Sequence, residues 1–502
     1  MTIFFAPLRL APRPTEPQES LWKLVLEVTP IQWGFYLVGW LAWTCDAMDF
    51  FSVSLSVTPL SEQFGRDTTE ITQAITLTLL FRSVGAILFG ILSDRFGRKW
   101  PLVFNLILVA VLSLGAGFCN TYQQFLAARS LFGIAMGGIW GLSASTALEN
   151  LPVGLRGIAS GWLQQGYSVG YLLAACISLK LVPAVRPGWR SLFWTAAGVS
   201  AFAALLRALL PESAVFQKAR QAAEKHGVVS ERDKTKVFLH ETKQMLKSHW
   251  LLVVYMILLM TGFNFLAHGS QDLFPTYLEK TKGFSAHDAT IATIISNCGA
   301  ISGGFVAGYL SQYLGRRITI IIFLLLSGAF IPLWILPSSF GALAAGAFCV
   351  QFGVEGAWGV IPIHITELAP PAFRATFPGV AYQIGNMVSS ASAQIEATGA
   401  AHLTTMLNGT VVPDYAKVQG IFIGCITAFT VLVTLIGPEN HSSRFEKHRA
   451  AFDQGGGSDE AYIEEEDHEQ SVDVEDKDSQ KASEERIEQH ESASTEKVPV
   501  AV

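Results

Sequence analysis

Apolar residues in this chain come in blocks of about twenty, twelve times over. That recurrence constrains the fold more than any other feature, because a helix needs about twenty residues to cross roughly 30 Å of hydrocarbon. The blocks fall at about 33–58, 71–93, 100–119, 122–148, 157–181, 190–210, 250–277, 288–311, 318–336, 340–365, 375–398 and 419–437. Only 15% of the 502 residues are charged, where a soluble protein carries about a quarter. A soluble enzyme core is excluded, and an all-α membrane protein of twelve transmembrane helices is expected. The six cysteines are scattered in or beside these blocks without CxxC spacing, so they read as packing residues, and no metal or disulfide framework is implied.

The longest hydrophilic connection, 211–249, divides the spans six and six. The expected organisation is a cytoplasmic segment 1–32, a six-helix bundle 33–210, a cytoplasmic loop 211–249, a second bundle 250–437 and an acidic tail 438–502. From Asp459 onward there are sixteen acidic and four basic residues, too polar a composition to fold alone. Lys477, Lys481 and Lys497 in that tail are candidates for attachment by the ubiquitin-dependent endocytic machinery. Lys and Arg concentrate in the even-to-odd loops, for example Arg95, Arg98, Lys99, Arg156, Arg316, Arg317 and Arg374, which places both termini in the cytoplasm. No cleavable leader is evident. The sequon Asn408-Gly409-Thr410 then falls in an outer loop.

The halves repeat. An offset of 218 carries Gly90, Gly97 and Arg98 to Gly308, Gly315 and Arg316; Gly138, Trp140 and Gly141 to Gly356, Trp358 and Gly359; and Glu149, Pro152 and Arg156 to Glu367, Pro370 and Arg374. It also takes Gly161 and Gln165 to Gly379 and Gln383. Internal duplication is the pattern of carriers whose substrate sits near the midplane between two rocking repeats.

Between spans 2 and 3 runs Gly90-Ile-Leu-Ser-Asp-Arg-Phe-Gly-Arg-Lys99, echoed by Gly308 to Arg317. Asp94 at a helix end can hold the neighbouring half through dipole and arginines, while Gln312 replaces the acid in the second copy. This stretch resembles the signature loop of the major facilitator superfamily, and Glu149 to Gly157 and Glu367 to Arg374 are similar to its companion acidic-to-arginine loops. The resemblance implies two pseudo-symmetric six-helix bundles, with Asp94, Arg98, Glu149, Arg156, Arg316, Glu367 and Arg374 as gating residues.

Span 7 contains Asn264, His268, Gln271 and Asp272, which at 100° per residue form one polar stripe at about 0°, 40°, -20° and 80°. A histidine one turn from a carboxylate can load and release a proton near neutrality. The competing reading is a stripe that only packs this helix. The run from Asn264 to Thr276 closely resembles the signature Asn-x-x-Ser/Thr-His-x-Ser/Thr-Gln-Asp-x-x-x-Thr of the fungal monocarboxylate–proton symporters known as the Jen family. Asn264, His268, Ser270, Gln271, Asp272 and Thr276 match it; Ala267 stands where a hydroxyl is expected. The resemblance implies import of lactate, pyruvate or a related short-chain acid with a proton at the plasma membrane, some relatives preferring dicarboxylates.

Arg82 lies about eleven residues into span 2, near the bilayer centre, where arginine costs roughly 2.5–3.5 kcal/mol. Its fork can receive a carboxylate or pair structurally with Asp46 or Asp49, and the two can alternate. Gln165 and Gln383, with Asn386 almost one turn beyond, supply amides for a carboxylate site or for helix bridging. Arg129 in Arg129-Ser-Leu-Phe-Gly133 resembles another superfamily motif linked to proton coupling, while Trp140 and Trp358 read as packing residues. The expected substrate contacts are Arg82, Gln165, Asn264, Gln271, Gln383 and Asn386, with His268, Asp272, Asp46, Asp49 and Arg129 for proton coupling. The expected partners are a small carboxylate, protons and the bilayer, with no nucleic acid and no cofactor besides the coupling proton. A dicarboxylate symporter, a non-transporting nutrient receptor and a sugar or drug carrier are the alternatives, and no nucleophile–base set suggests an enzyme.

Overall fold

The computed structural model describes Leu8 and residues 21–148, 151, 153–186, 188–212, 231–369 and 376–439. Twelve helical spans follow one another. Spans 1 to 4 are Pro30–Ser54, Thr68–Phe96, Lys99–Ala116 and Tyr122–Leu148. Span 5 is the pair Val153–Gln164 and Gly166–Lys180, and span 6 is Arg190–Leu209. In the second half, span 7 is Trp250–Gln271 with Phe274–Lys280, and spans 8 to 10 are Ala286–Leu314, Arg316–Ile335 and Phe340–Leu368. Span 11 is Thr376–Ser389 with Ser392–His402, and span 12 is Tyr415–Ile436. Among the described residues ten stretches are long and apolar enough to cross a membrane. Span 1 and the two-part span 11, which carry Asp46 and Asp49 or Gln383, Asn386 and Glu396, fall outside that set.

The repeat read from the sequence reappears in the backbone. Spans 2 and 8 are both 29 residues long and start and end at positions related by the same offset. Each begins at a side-chain cap, with Asp67 accepting from the Glu70 N–H and Ser285 from the Asp288 N–H. Both end at glycines with left-sided φ, 93° at Gly97 and 91° at Gly315, where the chain turns into the next span. Within each half, small residues let backbones touch. A Cβ on Gly85 would meet the Ile134 carbonyl oxygen at 1.8 Å, and one on the corresponding Gly303 would meet that of Phe352 at 2.1 Å. Spans 2 and 4 are therefore locked together at the level of Arg82.

Lipid-facing surface is legible on span 3, where Trp100, Phe104, Ile107, Val111, Leu114 and Phe118 are exposed at helical spacing. Its opposite face buries Leu102, Leu106, Val109 and Ser113.

Three features depart from the sequence expectations. Spans 5, 7 and 11 are each interrupted near mid-course. In span 7 the break precedes Pro275, which has no N–H to donate and crowds the preceding turn. The connection drawn as loop 211–249 contains the helix Glu231–Ser248, rich in strong helix formers; this helix belongs to a second compact unit, distinct from the one that holds the twelve spans. The loop after span 11 holds a hairpin, β1 Thr404–Leu407 paired antiparallel with β2 Thr410–Pro413. Asn408 and Gly409 form its two-residue turn with φ of 48° and 83°. The acidic tail from residue 440 onward lies outside the described residues.

Candidate functional site

Arg82 is completely buried, and its guanidinium has no hydrogen-bond partner among the described residues. Asp46, also buried, comes to 3.7 Å from Arg82 Nη2, close enough for attraction and too far for a hydrogen bond. Aromatic rings complete the surroundings. The guanidinium carbon lies 5.9 Å from the Trp43 ring centre and 5.6 Å from that of Tyr382, within cation–π range. Tyr382 is stacked on Trp140 at 4.8 Å and meets Trp358 edge-on at 5.8 Å. The repeat-related tryptophans read as packing residues thus hold one wall of the arginine site.

From Tyr382 the polar cluster runs along span 11 into span 7. Gln383 Nε2 donates to the Gly137 carbonyl of span 4 at 3.3 Å, and Asn386 Nδ2 donates to Gln383 Oε1 at 3.2 Å. Asn386 Oδ1 lies 3.1 Å from His268 Nε2, and His268 Nδ1 lies 3.3 Å from Asp272 Oδ1. Asp272, His268, Asn386 and Gln383 therefore stand within hydrogen-bond distance of one another in a continuous row that links spans 7, 11 and 4. His268 also packs edge-on against Phe50 of span 1 at 5.5 Å.

Other expected site residues stand elsewhere. Asn264 Nδ2 donates to the Met260 carbonyl of its own helix at 2.7 Å, so its amide folds back instead of joining the cluster. Gln165 is buried against span 8, where a Cβ on Gly304 would meet its Nε2 at 1.7 Å; neither of its amide atoms has a partner among the described residues. Gln271 reaches span 10, donating to Gln351 Oε1 at 2.9 Å and Glu355 Oε1 at 2.8 Å. Arg129 is buried over Phe132, with its guanidinium carbon 4.0 Å from the ring centre, and interacts through space with Asp49 and Asp46. Asp49 accepts from the Ser113 hydroxyl.

The loops that join the spans at one end are held by carboxylates. Arg316 Nε and Nη2 each bond a different oxygen of Glu367 at 3.1 Å, while Nη1 donates to Ser311 Oγ. In the first half, Arg98 Nη1 donates to Ser93 Oγ, the repeat mate of Ser311. Glu212 accepts from the backbone N–H groups of Arg98 and Lys99, and Glu439 accepts from those of Arg316 and Arg317. Burial raises the Glu439 carboxyl above the ordinary glutamate range, opposed by those N–H groups and the two guanidiniums. Glu149 and Arg374, and the side chains of Asp94 and Arg156, lie outside the described residues.

Sequence reasoning passed over two buried carboxylates. Glu355 of span 10 bonds Gln271 through Oε1, and its Oε2 has no partner among the described residues. Glu396 of span 11 accepts from Gln419 Nε2 at 2.7 Å. Both were visible as acidic residues inside apolar blocks, a signal that by default marks function.

A family model described as Major Facilitator Superfamily matches residues 37–393. The chain belongs to that superfamily. Its members are membrane carriers, and this chain is a multi-pass membrane protein with their fold. The xylose transporter XylE of E. coli, in a partially occluded inward-open structure, superposes with a TM-score of 0.65 at 17% identity, over 83% of this chain and 100% of that one. Within the superfamily the chain falls in the Jen-type group. It is 36% identical over 420 residues to the carboxylic acid transporter protein homolog of Saccharomyces cerevisiae, covering 81% of this chain and 68% of the yeast protein. It is 27% identical over 354 residues to the cis,cis-muconate transport protein of Acinetobacter baylyi, covering 70% and 84% of the two chains.

Proposed function

We propose that this major facilitator carries small carboxylic acids, and specifically that it imports short-chain monocarboxylates such as lactate and pyruvate with a proton across the plasma membrane. The observation that carries this reading is Arg82, a buried guanidinium whose donors have no partner among the described residues and whose counter-charge Asp46 stands 3.7 Å away. Such a fork can make two parallel charge-assisted bonds to a carboxylate. A neutral sugar would gain less from it. The names of the yeast and Acinetobacter relatives, both carriers of organic acids, support the substrate class.

The mechanism follows from the two ends of the cluster. Substrate carboxylate and Asp46 compete for Arg82, so an arriving acid releases Asp46 from its partner. At the other end His268 and Asp272 hold the coupling proton, and Asn386 and Gln383 relay the protonation state towards Arg82 through hydrogen bonds. The two sites need not touch to be linked: if a proton tightens the acid, the acid raises the proton affinity by the same factor. Arg316, Glu367, Arg98 and their counterparts Asp94, Glu149, Arg156 and Arg374 would hold the cytoplasmic ends closed between turnovers.

The test is uptake of labelled lactate into vesicles with and without an inwardly directed proton gradient. Gradient-driven accumulation above the equilibrium level is expected; equilibration that ignores the gradient would reduce the protein to a facilitator.

A further inference from the structure

Glu355 has no role in the coupling just described, yet it stands beside the same aromatic and polar cluster. It sits on span 10 at 1% exposure, one turn before Trp358, whose ring meets Tyr382. Gln271 donates to Oε1 at 2.8 Å, and Gln351, which shares the Gln271 amide, donates in turn to Ser270 Oγ at 2.8 Å. The carboxyl is therefore fixed in orientation by a bridge between spans 7 and 10, and it presents an oxygen with no partner among the described residues. Tyr167 and Tyr382 lie within electrostatic reach of both Arg82 and Glu355. The cluster thus has a guanidinium on the N-terminal half and a carboxyl on the C-terminal half, with the Tyr382 and Tyr167 rings near both.

We infer that Glu355 sets the charge of the acid that is accepted: it admits one carboxylate, held by Arg82, and rejects a second one on the same molecule. This inference rests on the reading of Arg82 as the carboxylate receptor. A monocarboxylate turns only its neutral end towards span 10. A dicarboxylate of similar size brings a second negative charge towards Glu355, with Asp272 next in chain to the Gln271 that holds it; His268 lies within electrostatic reach, but when protonated its charge is matched by Asp272 at 3.2 Å. Like charges about 7 Å apart in a partly screened interior disfavour the complex by a factor of roughly ten or more.

The experiment compares two competitors of labelled lactate uptake at pH 8, where both carboxyls of succinate are ionised: succinate and its monomethyl ester, which share a carbon skeleton and differ by one charge. In the wild-type carrier the monoester should inhibit at least about tenfold more strongly than succinate. In Glu355→Gln, which keeps an oxygen to accept from Gln271, that gap should close. Glu355→Asp should keep it, and Glu355→Leu provides a second uncharged variant should the glutamine form fail to reach the membrane. Equal inhibition by succinate and monoester in the wild type would overturn the inference, as would a gap that persists in a correctly inserted uncharged variant. Absence of wild-type lactate uptake would instead refute the reading of the carrier itself.

Discussion

His268 presents Nε2 to the Asn386 amide oxygen at 3.1 Å while its Nδ1 faces Asp272 at 3.3 Å. Asn386 is turned this way because its amide nitrogen donates to Gln383. Both imidazole nitrogens therefore meet oxygen. A neutral imidazole has one N–H to give, so both bonds are made only when an extra proton resides on the His268–Asp272 pair. The hydrogen-bond chain is complete in the proton-loaded form and broken in the other.

Replacing His268 with Gln removes the titrating group and leaves an amide of similar reach. Proton-driven lactate accumulation should fall by about tenfold or more, and lactate-for-lactate exchange should fall much less, as read in vesicles with and without a pH gradient. Accumulation equal to wild type would move the proton to Asp46, Asp49 or Asp272.

Arg82→Lys keeps the charge and loses the fork and its ring contacts. Lactate affinity, measured by binding to purified protein, should weaken about ten- to a hundredfold, the loss of one good charge-assisted pair. Unchanged affinity in folded protein would assign Arg82 to the ion pair with Asp46 alone.

Two adjacent glycines separate folding from function. A Cβ at Gly303 would meet the Phe352 backbone at 2.1 Å, which cannot yield without moving a helix. Gly303→Ala should cost about 1–3 kcal/mol and lower the unfolding temperature in detergent. At Gly304 the obstacle is the far end of the Gln165 side chain, which can swing away. Gly304→Ala should therefore retain most of the stability and change transport. Equal destabilisation by both would contradict the distinction.

Glu367→Gln leaves Arg316 without the carboxylate it grips through two bonds in a buried setting. Removing one partner of such a pair costs about 3–5 kcal/mol, so a marked fall in unfolding temperature is expected. A melting point within a degree or two of wild type would show that water already screens the pair.

Much of this was legible in the sequence. The offset of 218 foretold that Gly97 and Gly315 would share a backbone turn, and that Ser93 and Ser311 would occupy matching places. Intramembrane charge singled out Arg82, His268 and Asp272, and all three are buried within the fold. Helical angles were a poorer guide. They put Asn264 on the stripe of His268, yet its short amide bonds its own helix backbone at Met260. Hydropathy could not find the interruption of span 5, since both of its halves remain apolar.

Arg82, Gln383, Asn386, His268 and Asp272 are each exposed by 3% or less. On the proposed reading, a carrier whose contacts are so fully enclosed must close around its cargo, and this sets a limit on inhibitors. An acid with a bulky aryl tail could still place its carboxylate on Arg82, but the tail would prop the two halves apart. It would be bound without being carried, and it would block only from the side on which it was added. Sidedness of inhibition would then report which face of the membrane the empty carrier prefers.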